Sequence, residues 1–508
     1  MKNRFSLNMF TNIFALGINV IATLVITPIL IKEIGVVAYA FIPIIQSIMN
    51  YINAISIAFT SMVGRYFTIS IKNRNIREAE EYLNTSFFSL LSVSFLFLFI
   101  IYIVANDIQL FLNVPDNLIK DVKLALLFQG IAFLFSTLSI AFKVAAFSEN
   151  KLYISNNNLM ISIIIRSILG IILITYYKEL WYYSLANSIG MLLLLLMEFY
   201  TFRKLMPDMK INLTRFSKDK AKTLLSVGSW NSLTNFGSLL YNQSDVIVAN
   251  KNLSATTAGE FAGIYQIPQL IKSLGNSISS TFSPRYIELY AKNRIVELTE
   301  YTKKSVWFTG CLMAIPIGLF GGIGDIVVAL WLGDNFLKYQ FILIIFAVTL
   351  AINVCISPLF AILITYQKVK VPAFMQLFTG FINISLAVFL TSLIDLGALG
   401  LAISGFFSYS LMNFIFMPKY TSKIMGISSK GLYKTIFKVC FVTFLVGIIS
   451  GISRTFLSHD WLGVFIISFI TIIFYFILLV LFFSRNEERT LIKTIILKFY
   501  YKIRRKKQ

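Results

Sequence analysis

Apolar residues follow one another along this chain in runs long enough to cross a lipid bilayer. A spanning helix needs about 20 mostly apolar residues in succession, and fourteen such runs occur. The runs are continuous rather than alternating, which excludes spanning β-strands. The pattern predicts an all-α polytopic membrane protein with about fourteen transmembrane helices. The predicted segments, numbered 1 to 14 in chain order, are 8–31, 38–63, 84–104, 120–142, 158–177, 181–202, 223–248, 259–283, 305–332, 340–364, 373–394, 397–417, 435–456 and 462–483.

Basic residues are concentrated in alternate connections between these segments. With the N-terminus placed in the cytoplasm, the inside connections carry 36 Lys and Arg residues and the outside ones carry seven. Cytoplasmic loops show this excess. An even number of segments then puts both termini in the cytoplasm. There the basic tail 484–508 acts as an orientation signal, with contact to anionic lipid as the alternative. The first run is expected to be retained, because no small-residue cleavage site follows it.

Composition agrees with a membrane protein and excludes several other classes. The chain is 57% hydrophobic and 13% charged, whereas a soluble domain carries about 25% charged residues. The net charge of +22 does not indicate nucleic-acid binding, because the basic residues lie in short gaps between apolar runs. Three cysteines lie within apolar runs, without a CxxC motif, and His459 is the single histidine. No disulfide framework, metal site or histidine-based catalysis is therefore indicated, and no enzymatic activity is predicted.

A short basic sequence occurs twice, at equivalent points of this topology. "RYFTISIKNR" (65–74) and "RYIELYAKNR" (285–294) match at five of ten positions. Ile42-Pro43 recurs at Ile267-Pro268, and the Asp-Asn pair at Asp116 recurs at Asp334. The offsets all fall between 218 and 225. We therefore predict a duplicated unit of six helices, with the two copies entering the membrane from the same side.

The repeat defines the expected domain organisation. The predicted parts are an N-terminal six-helix bundle (1–215), a C-terminal six-helix bundle (220–430), two additional transmembrane helices (435–483) and a basic cytoplasmic tail (484–508). In membrane proteins built from such repeats, substrate sites lie at the interface between the halves.

Polar residues recur at helical spacing within four of the segments. Segments 1 and 2 correspond to segments 7 and 8 under the repeat, and polar side chains in lipid are costly unless they face protein or a wet cavity. We expect the four stripes to line a central polar cavity, although hydrogen bonding between packed helices is the alternative. The candidate glycan- and cavity-lining residues are Asn19, Gln46, Asn50, Asn53, Asn231, Asn235, Asn242, Tyr265, Gln269 and Asn276.

Four basic residues are candidates for binding a phosphate or pyrophosphate. Lys272 and Arg166 lie in the middle of segments 8 and 5, where an unpaired cation favours an anion. Arg65 and Arg285 lie at the equivalent ends of segments 2 and 8. The alternatives are orientation and headgroup contact for Arg65 and Arg285, and a structural ion pair for Lys272 and Arg166. Glu198 is the expected partner in such a pair for Arg166.

Asp245 is the clearest acid within a predicted segment, near the outer end of segment 7. It is the candidate for cation coupling; pairing with Lys272 and membership of a polar cluster are the alternatives. No cofactor or metal is predicted, while coupling to Na⁺ or H⁺ stays open. No G-x-x-x-x-G-K-[ST] sequence occurs, so no nucleotide-binding loop supplies energy.

The whole chain resembles the multidrug/oligosaccharidyl-lipid/polysaccharide (MOP) exporter superfamily, and most closely its polysaccharide, Wzx-like branch. The most specific stretch is "DVIVANKNLSATTAGEFAGIYQIPQL", which runs from Asp245 to Leu270. It carries an Asp at the end of segment 7, then Gly259, Gly263 and Tyr265, as family members often do. Gly35 and Tyr39 form a weaker first copy, and the loop "KNRNIREAEEY" is also typical of the family.

The resemblance implies a flippase that moves undecaprenyl-pyrophosphate-linked oligosaccharide repeat units across the bacterial cytoplasmic membrane by alternating access. The product would be a surface polysaccharide of the O-antigen, capsule or teichuronic acid type. The implied partners are the lipid-linked oligosaccharide, membrane lipid, and the glycosyltransferases and polymerase of the same pathway. In the lipid II flippases, two further C-terminal helices help form a groove for the lipid tail, and segments 13 and 14 match them by position.

Three other functions are left open. Lipid II transport is disfavoured because segment 1 lacks the Arg-Asp pair of the lipid II flippases. An ion-coupled multidrug or cation exporter is disfavoured because segment 1 has no carboxylate and a cationic cavity would repel such substrates. A membrane-embedded glycosyltransferase or polymerase would need a large outer loop with catalytic acids. The longest outer loop here, 105–119, offers only Asp107 and Asp116.

Overall fold

The computed structural model describes residues 2–482, and this part of the chain is helical and without strands. Its seventeen α-helices, α1 to α17, are Lys2–Tyr39, Phe41–Lys72, Ile76–Asn106, Ile108–Phe111, Ile119–Ser148, Leu152–Tyr177, Leu180–Leu205, Lys218–Asn252, Ala255–Ser280, Ser283–Ala291, Ile295–Leu332, Gln340–Thr365, Lys370–Val388, Gly397–Tyr409, Met417–Met425, Lys430–Ser453 and Trp461–Phe482. Two π-helical stretches, Phe389–Leu393 and Ser410–Phe416, extend α13 and α14.

Each predicted segment coincides with a helix in the described chain, which confirms the all-α polytopic fold. Within residues 2–482, eleven helices are long and apolar enough to cross a membrane, and α17 contains a shorter apolar stretch, Trp461–Ile477. The helices α8 and α9 contain 35 and 26 residues but are more polar. They carry the polar stripes of segments 7 and 8. The count of fourteen spans and the side on which the termini lie stay predictions, and the tail 484–508 lies outside the described residues.

The helices form two compact units. The first contains the described residues of Met1–Leu270 together with Tyr366–Phe416, and the second contains those of Ile271–Thr365 and Met417–Gln508. The helix α9 begins in the first unit and ends in the second. The sequence-based division follows the repeat rather than contacts between residues. It gives the parts 1–215, 220–430 and 435–483, and it stays a prediction.

Left-handed backbone conformations recur along the chain at nearly constant spacing. Six described residues other than glycine have a positive φ, near +54° to +59°. They form three pairs separated by 217 to 219 residues: Arg74 with Asn293, Asn150 with Gln367, and Lys178 with Asp395. The short 3₁₀ helices that begin at Asp116 and Asp334 start 218 residues apart. Because a positive φ is unfavourable for residues with a Cβ, the recurrence of these turns supports the predicted duplication.

Within the first unit, α8 lies directly against α2. A Cβ built on Gly228 would come within 1.8 Å of the carbonyl oxygen of Ala58, so only glycine permits this approach. Ser232 donates to the carbonyl of Ala54, and Tyr51 donates to the carbonyl of Leu239. Small residues and side-chain-to-backbone bonds are the usual means of packing helices in lipid.

The connection between α7 and α8 is bound to the first turns of α3. Asn84 donates to the carbonyl of Lys210 and accepts from the backbone N–H of Asn212, at 3.0 and 2.7 Å. Glu80 accepts from the backbone N–H of Lys210, and Thr85 accepts from that of Ser217. Asn84 and Thr85 are fully buried. We call residues 206–217, held in this way, the α3 clasp.

In the second unit, α11 packs against α12 and α16. A Cβ on Gly322 would lie 2.0 Å from the hydroxyl of Ser450, so α11 and α16 approach closely. The helical geometry of α11 is interrupted at Ile323 (φ −131°, ψ 15°). Two residues later, Asp325 is 3% exposed and receives both Nη groups of Arg454, at 3.0 and 2.9 Å.

Candidate functional site

The first unit encloses a cavity of about 540 Å³ among α1, α2 and α5 to α9. Such a volume is within the range of small-molecule sites. Seven of the residues predicted to bind cargo line it: Asn19, Gln46, Asn50, Asn53, Arg166, Tyr265 and Gln269. Among the described residues of its wall, Arg166 is the one that carries a charge.

The spacing of polar residues on α1 and α2 explains why both helices turn a polar face to this cavity. Asn19, Thr23 and Thr27 are spaced four residues apart on α1, and all three line the wall. Gln46, Asn50 and Asn53 follow at steps of four and three on α2. Residues at these steps share one side of a helix. The stripes predicted on segments 1 and 2 therefore include the residues that face the space.

Arg166 is held on the cavity wall by a neutral amide. Its Nη1 donates to the Oδ1 of Asn187 on α7, at 2.7 Å. The Nδ2 of Asn187 donates in turn to the Oε1 of Gln129 on α5, at 2.9 Å. The expected ion pair between Arg166 and Glu198 is wrong: Glu198 accepts instead from Ser155 and Asn158, at 2.9 and 3.1 Å. The described partner of the guanidinium is therefore the neutral amide of Asn187 and not the carboxylate of Glu198.

The row of amides continues across α2 to α8. Gln129 donates to Gln46 at 3.1 Å, Gln46 donates to Asn50 at 3.1 Å, and Asn50 donates to Gln243 at 3.0 Å. All these residues line the cavity. We call the row Arg166–Asn187–Gln129–Gln46–Asn50–Gln243 the amide chain. It joins four helices of the predicted first bundle to α8.

A second polar cluster in the first unit surrounds Asp245. This carboxylate is 2% exposed and its Oδ1 accepts from the Nδ2 of Asn383 on α13, at 2.7 Å. Nearby, Asn242 accepts from Tyr409 on α14 at 2.6 Å, and its backbone carbonyl accepts from Tyr265. The described contacts therefore place Asp245 in a polar cluster, which was one of the alternatives left open for it. Its role in cation coupling stays a prediction.

The remaining predicted site residues lie elsewhere. On α8 the cavity is faced by Gln243 and Val246, while Asn231 and Asn235 lie nearer the start of the helix. Arg65 is exposed near the end of α2, and Arg285 is exposed on the separate helix α10. Lys272 and Asn276 lie on the part of α9 that belongs to the second unit. Anion binding by Lys272, Arg65 and Arg285 stays a prediction.

Sequence patterns did not reveal Gln129, Asn187, Gln243 and Asn383. Gln129 and Asn187 are isolated amides in apolar segments and form no stripe. Gln243 lies beside the stripe that includes Asn242 and Asp245 rather than on it. One signal in the sequence could have identified them. A lone amide within a spanning helix is energetically costly, so its presence implies a polar partner.

The same fold occurs in solved transporters of the MOP superfamily. A structure described as the lipid II flippase MurJ in an inward closed conformation matches with a TM-score of 0.71, covering 96% of this chain and 99% of that chain at 14% identity. An inward-facing multidrug resistance MATE family transporter matches with a TM-score of 0.59, covering 84% of this chain and 99% of that chain at 14% identity. At these identities the likeness concerns the fold, which is that of a MOP-superfamily transporter.

The family follows from sequence comparison. The family model described as "Polysaccharide biosynthesis protein" matches residues 6–289. The "uncharacterized membrane protein EpsK" of Bacillus subtilis (strain 168) is 32% identical over 425 residues, which cover 83% of this chain and 84% of that protein. The chain belongs to this polysaccharide biosynthesis family, and it is a multi-pass bacterial membrane protein with the fold of MOP-superfamily transporters.

Proposed function

We propose that the protein translocates undecaprenyl-pyrophosphate-linked oligosaccharide repeat units across the cytoplasmic membrane by alternating access, for the synthesis of a surface polysaccharide. A pyrophosphate-linked glycan does not cross hydrocarbon unaided, because its charged and hydroxyl groups would lose their hydration. A polar path supplies substitutes for that water. The cytoplasmic glycosyltransferases that build the repeat unit and the polymerase that consumes it are the proposed partners.

The observation that supports this proposal best is the character of the cavity wall. Arg166 contributes a cation, and its described neighbours on the wall contribute amides and hydroxyls without a carboxylate. A guanidinium is suited to phosphate oxygens, and neutral amides hydrogen-bond to sugar hydroxyls. Arg166 is paired with Asn187 rather than with an acid, so its charge is available to a phosphate.

The same wall disfavours export of cationic drugs. A cationic amphiphile would enter a cavity that contains a guanidinium and, among the described lining residues, no carboxylate. Lipid II remains the closer alternative, because it too is a lipid-linked pyrophosphate saccharide. Segment 1 lacks the Arg-Asp pair of the lipid II flippases, which favours a different glycan.

Substituting the cavity cation tests the proposal directly. Arg166→Gln retains a group able to hydrogen-bond to Asn187 but removes the charge, and Lys272→Ala tests the second predicted cation. Lys120→Ala, an exposed lysine near the start of α5, is the matched control for the loss of one positive charge. Surface polysaccharide and cytoplasmic-side lipid-linked precursor are measured in cells with equal amounts of each variant in the membrane.

We expect Arg166→Gln to reduce export about 10- to 100-fold, since a hydrogen bond to a charged group contributes about 1.5–3 kcal/mol. Precursor should accumulate, while Lys120→Ala should export normally. Normal export by both Arg166→Gln and Lys272→Ala, at normal protein levels, would exclude the cationic cavity as the cargo site.

A further inference from the structure

The amide chain has a direction that Arg166 imposes. A guanidinium has donors and no acceptor, so the atom of Asn187 that faces it must be the carbonyl oxygen. The amino group of Asn187 then faces Gln129, whose oxygen must receive it. The same constraint passes along Gln46 and Asn50 to Gln243. One charged residue therefore fixes the orientation of five side-chain amides, which would otherwise be free to flip.

Consistent orientation aligns the amide dipoles. Along the row, each carbonyl oxygen accepts from the Arg166 side and each amino group lies on the other side. The positive end of every amide dipole is therefore directed away from Arg166, along the row. Hydrogen bonds in such a row polarise one another, strengthening each bond by about 10–30%. The result resembles the aligned peptide groups of a helix, whose N–H end attracts anions.

The amino group at the far end of the row is available for binding. Gln243 is partly exposed on the cavity wall, and its side-chain oxygen accepts from Asn50. Its Nε2 donates to no other residue in the part of the chain that the structure describes. The row thus begins at a cation on α6 and ends, on α8, at the amino group of Gln243, a residue that lines the same cavity.

We propose that Gln243 is a second recognition point for anionic oxygens in this cavity, and that the amide chain positions and polarises its amino group from Arg166. The cargo would place one anionic group at Arg166 and another acceptor at Gln243. The bound molecule would then connect α6 to α8. The oxygens can come from the pyrophosphate of a lipid-linked saccharide or from the carboxylate of an acidic sugar. This inference rests on the proposed function, because it concerns the same cavity.

Non-additivity of two substitutions distinguishes a coupled row from independent contacts. The probes are inorganic pyrophosphate, glucuronate and, as the neutral reference, N-acetylglucosamine, titrated by calorimetry into the purified full-length protein in detergent. Gln243→Leu removes the terminal donor, and Gln129→Leu interrupts the row two residues from Arg166 without touching Gln243. Ser139→Ala is the control: Ser139 lies on the same helix as Gln129 but outside the cavity wall, and its hydroxyl bonds to the carbonyl of Ser136 rather than to the row.

We expect Gln243→Leu and Gln129→Leu each to weaken binding of the preferred anion about tenfold. The double variant should be within about twofold of either single variant, because both act through one row. Ser139→Ala should bind like the unmodified protein. Gln129→Met, which has a similar length but neither donor nor acceptor for the row, should reproduce the loss if the leucine variant does not fold. A stronger response to pyrophosphate than to glucuronate assigns Gln243 to the lipid-linked phosphate, and the reverse assigns it to an acidic sugar.

Two results would overturn the inference, and they are distinguishable. If the losses multiply to about a hundredfold in the double variant, or if Gln129→Leu binds normally, the row does not act as a unit, while the proposed function is unaffected. If the unmodified protein binds neither anion, the cavity is not an anion site and both proposals fail.

Discussion

Charged residues within the helices of the two units have different kinds of hydrogen-bond partner. In the second unit, the Asp325 carboxylate and the Arg454 guanidinium form a two-bond ion pair. In the first unit, Arg166 faces Asn187 and Asp245 faces Asn383, so each of these charges is hydrogen-bonded to a neutral amide. An ion pair leaves no net charge for a ligand. A charge paired with an amide keeps its net charge, and cargo or a coupling ion can neutralise it.

This difference separates a structural pair from candidate functional charges. Both arrangements satisfy the hydrogen-bonding groups, so hydrogen bonding alone does not distinguish them. What distinguishes them is the charge of the described partner: Asp325 and Arg454 face each other, whereas Arg166 and Asp245 face neutral amides. Substitutions should therefore affect mainly stability in the second unit and mainly transport in the first.

The largest effect on stability is expected from Arg454→Ala. Removal of the guanidinium leaves the Asp325 side chain, which is 4% exposed, as an uncompensated buried charge. Breaking such a pair costs about 3–5 kcal/mol. Thermal unfolding of the purified protein should begin at a clearly lower temperature.

The double variant Asp325→Leu/Arg454→Leu is the control for that experiment, because replacing both charges by apolar residues is often nearly neutral. It should recover most of the lost stability. A normal unfolding temperature for Arg454→Ala, combined with lost export, would instead make this pair functional and remove the contrast between the units.

An intermediate effect, on transport rather than on folding, is expected from Asp245→Asn. The asparagine oxygen still accepts from Asn383, so the fold should be retained, while the negative charge that an ion would neutralise is lost. If Asp245 couples export to Na⁺ or H⁺, stimulation of export by an imposed gradient of that ion should fall about tenfold, since the lost ionic interaction is worth about 1.4 kcal/mol or more.

Glu198→Gln is the matched control for Asp245→Asn. Glu198 is also a buried acid of the first unit that accepts from neutral donors, Ser155 and Asn158, but it lies on α7, outside both the cavity wall and the polar cluster around Asp245. Its substitution should leave the response to the gradient unchanged. An Asp245→Asn protein that responds normally to both gradients would assign Asp245 to the polar cluster alone.

The smallest effect is expected in the exposed network on α10. Glu288 binds Lys292 and Arg285, each at 2.7 Å, and these two cations lower its pKa to about 2. Because the pKa is lowered on folding, any stabilisation is present above the ordinary value near 4.5 and is lost as the pH falls toward 2. Between pH 8 and pH 5 the unfolding temperature should therefore not respond to this network. Glu288→Gln should unfold like the unmodified protein, since exposed ion pairs contribute little.

Much of the fold could be predicted from sequence because bilayer thickness imposes a length on each helix and lipid imposes an apolar composition. These constraints are local, so the fourteen runs coincide with helices. The π-helical extensions at Phe389–Leu393 and Ser410–Phe416 have no such local signal. The exact helix ends, as in the separation of Arg285 onto α10, depend on neighbouring helices rather than on hydropathy.

Apart from Arg166, the residues of the cavity wall were predictable only where several polar residues share one helix. The stripe of Gln46, Asn50 and Asn53 indicated the cavity face of α2 by its period. Gln129, Asn187 and Gln243 belong to three different helices, and their association depends on tertiary packing. The assignment of Glu198 to Arg166 was wrong for the same reason, because adjacency of spans does not specify which faces meet.

The α3 clasp bears on the order in which the chain folds during synthesis. Asn84 and Thr85 bond to residues that follow them by 126 to 132 positions. When the ribosome has completed α7, these buried side chains on α3 still lack their partners. The first bundle is therefore completed not by its sixth long helix but by the connection beyond it. A fragment ending at Leu205 would contain all six helices and still be an unfinished folding intermediate.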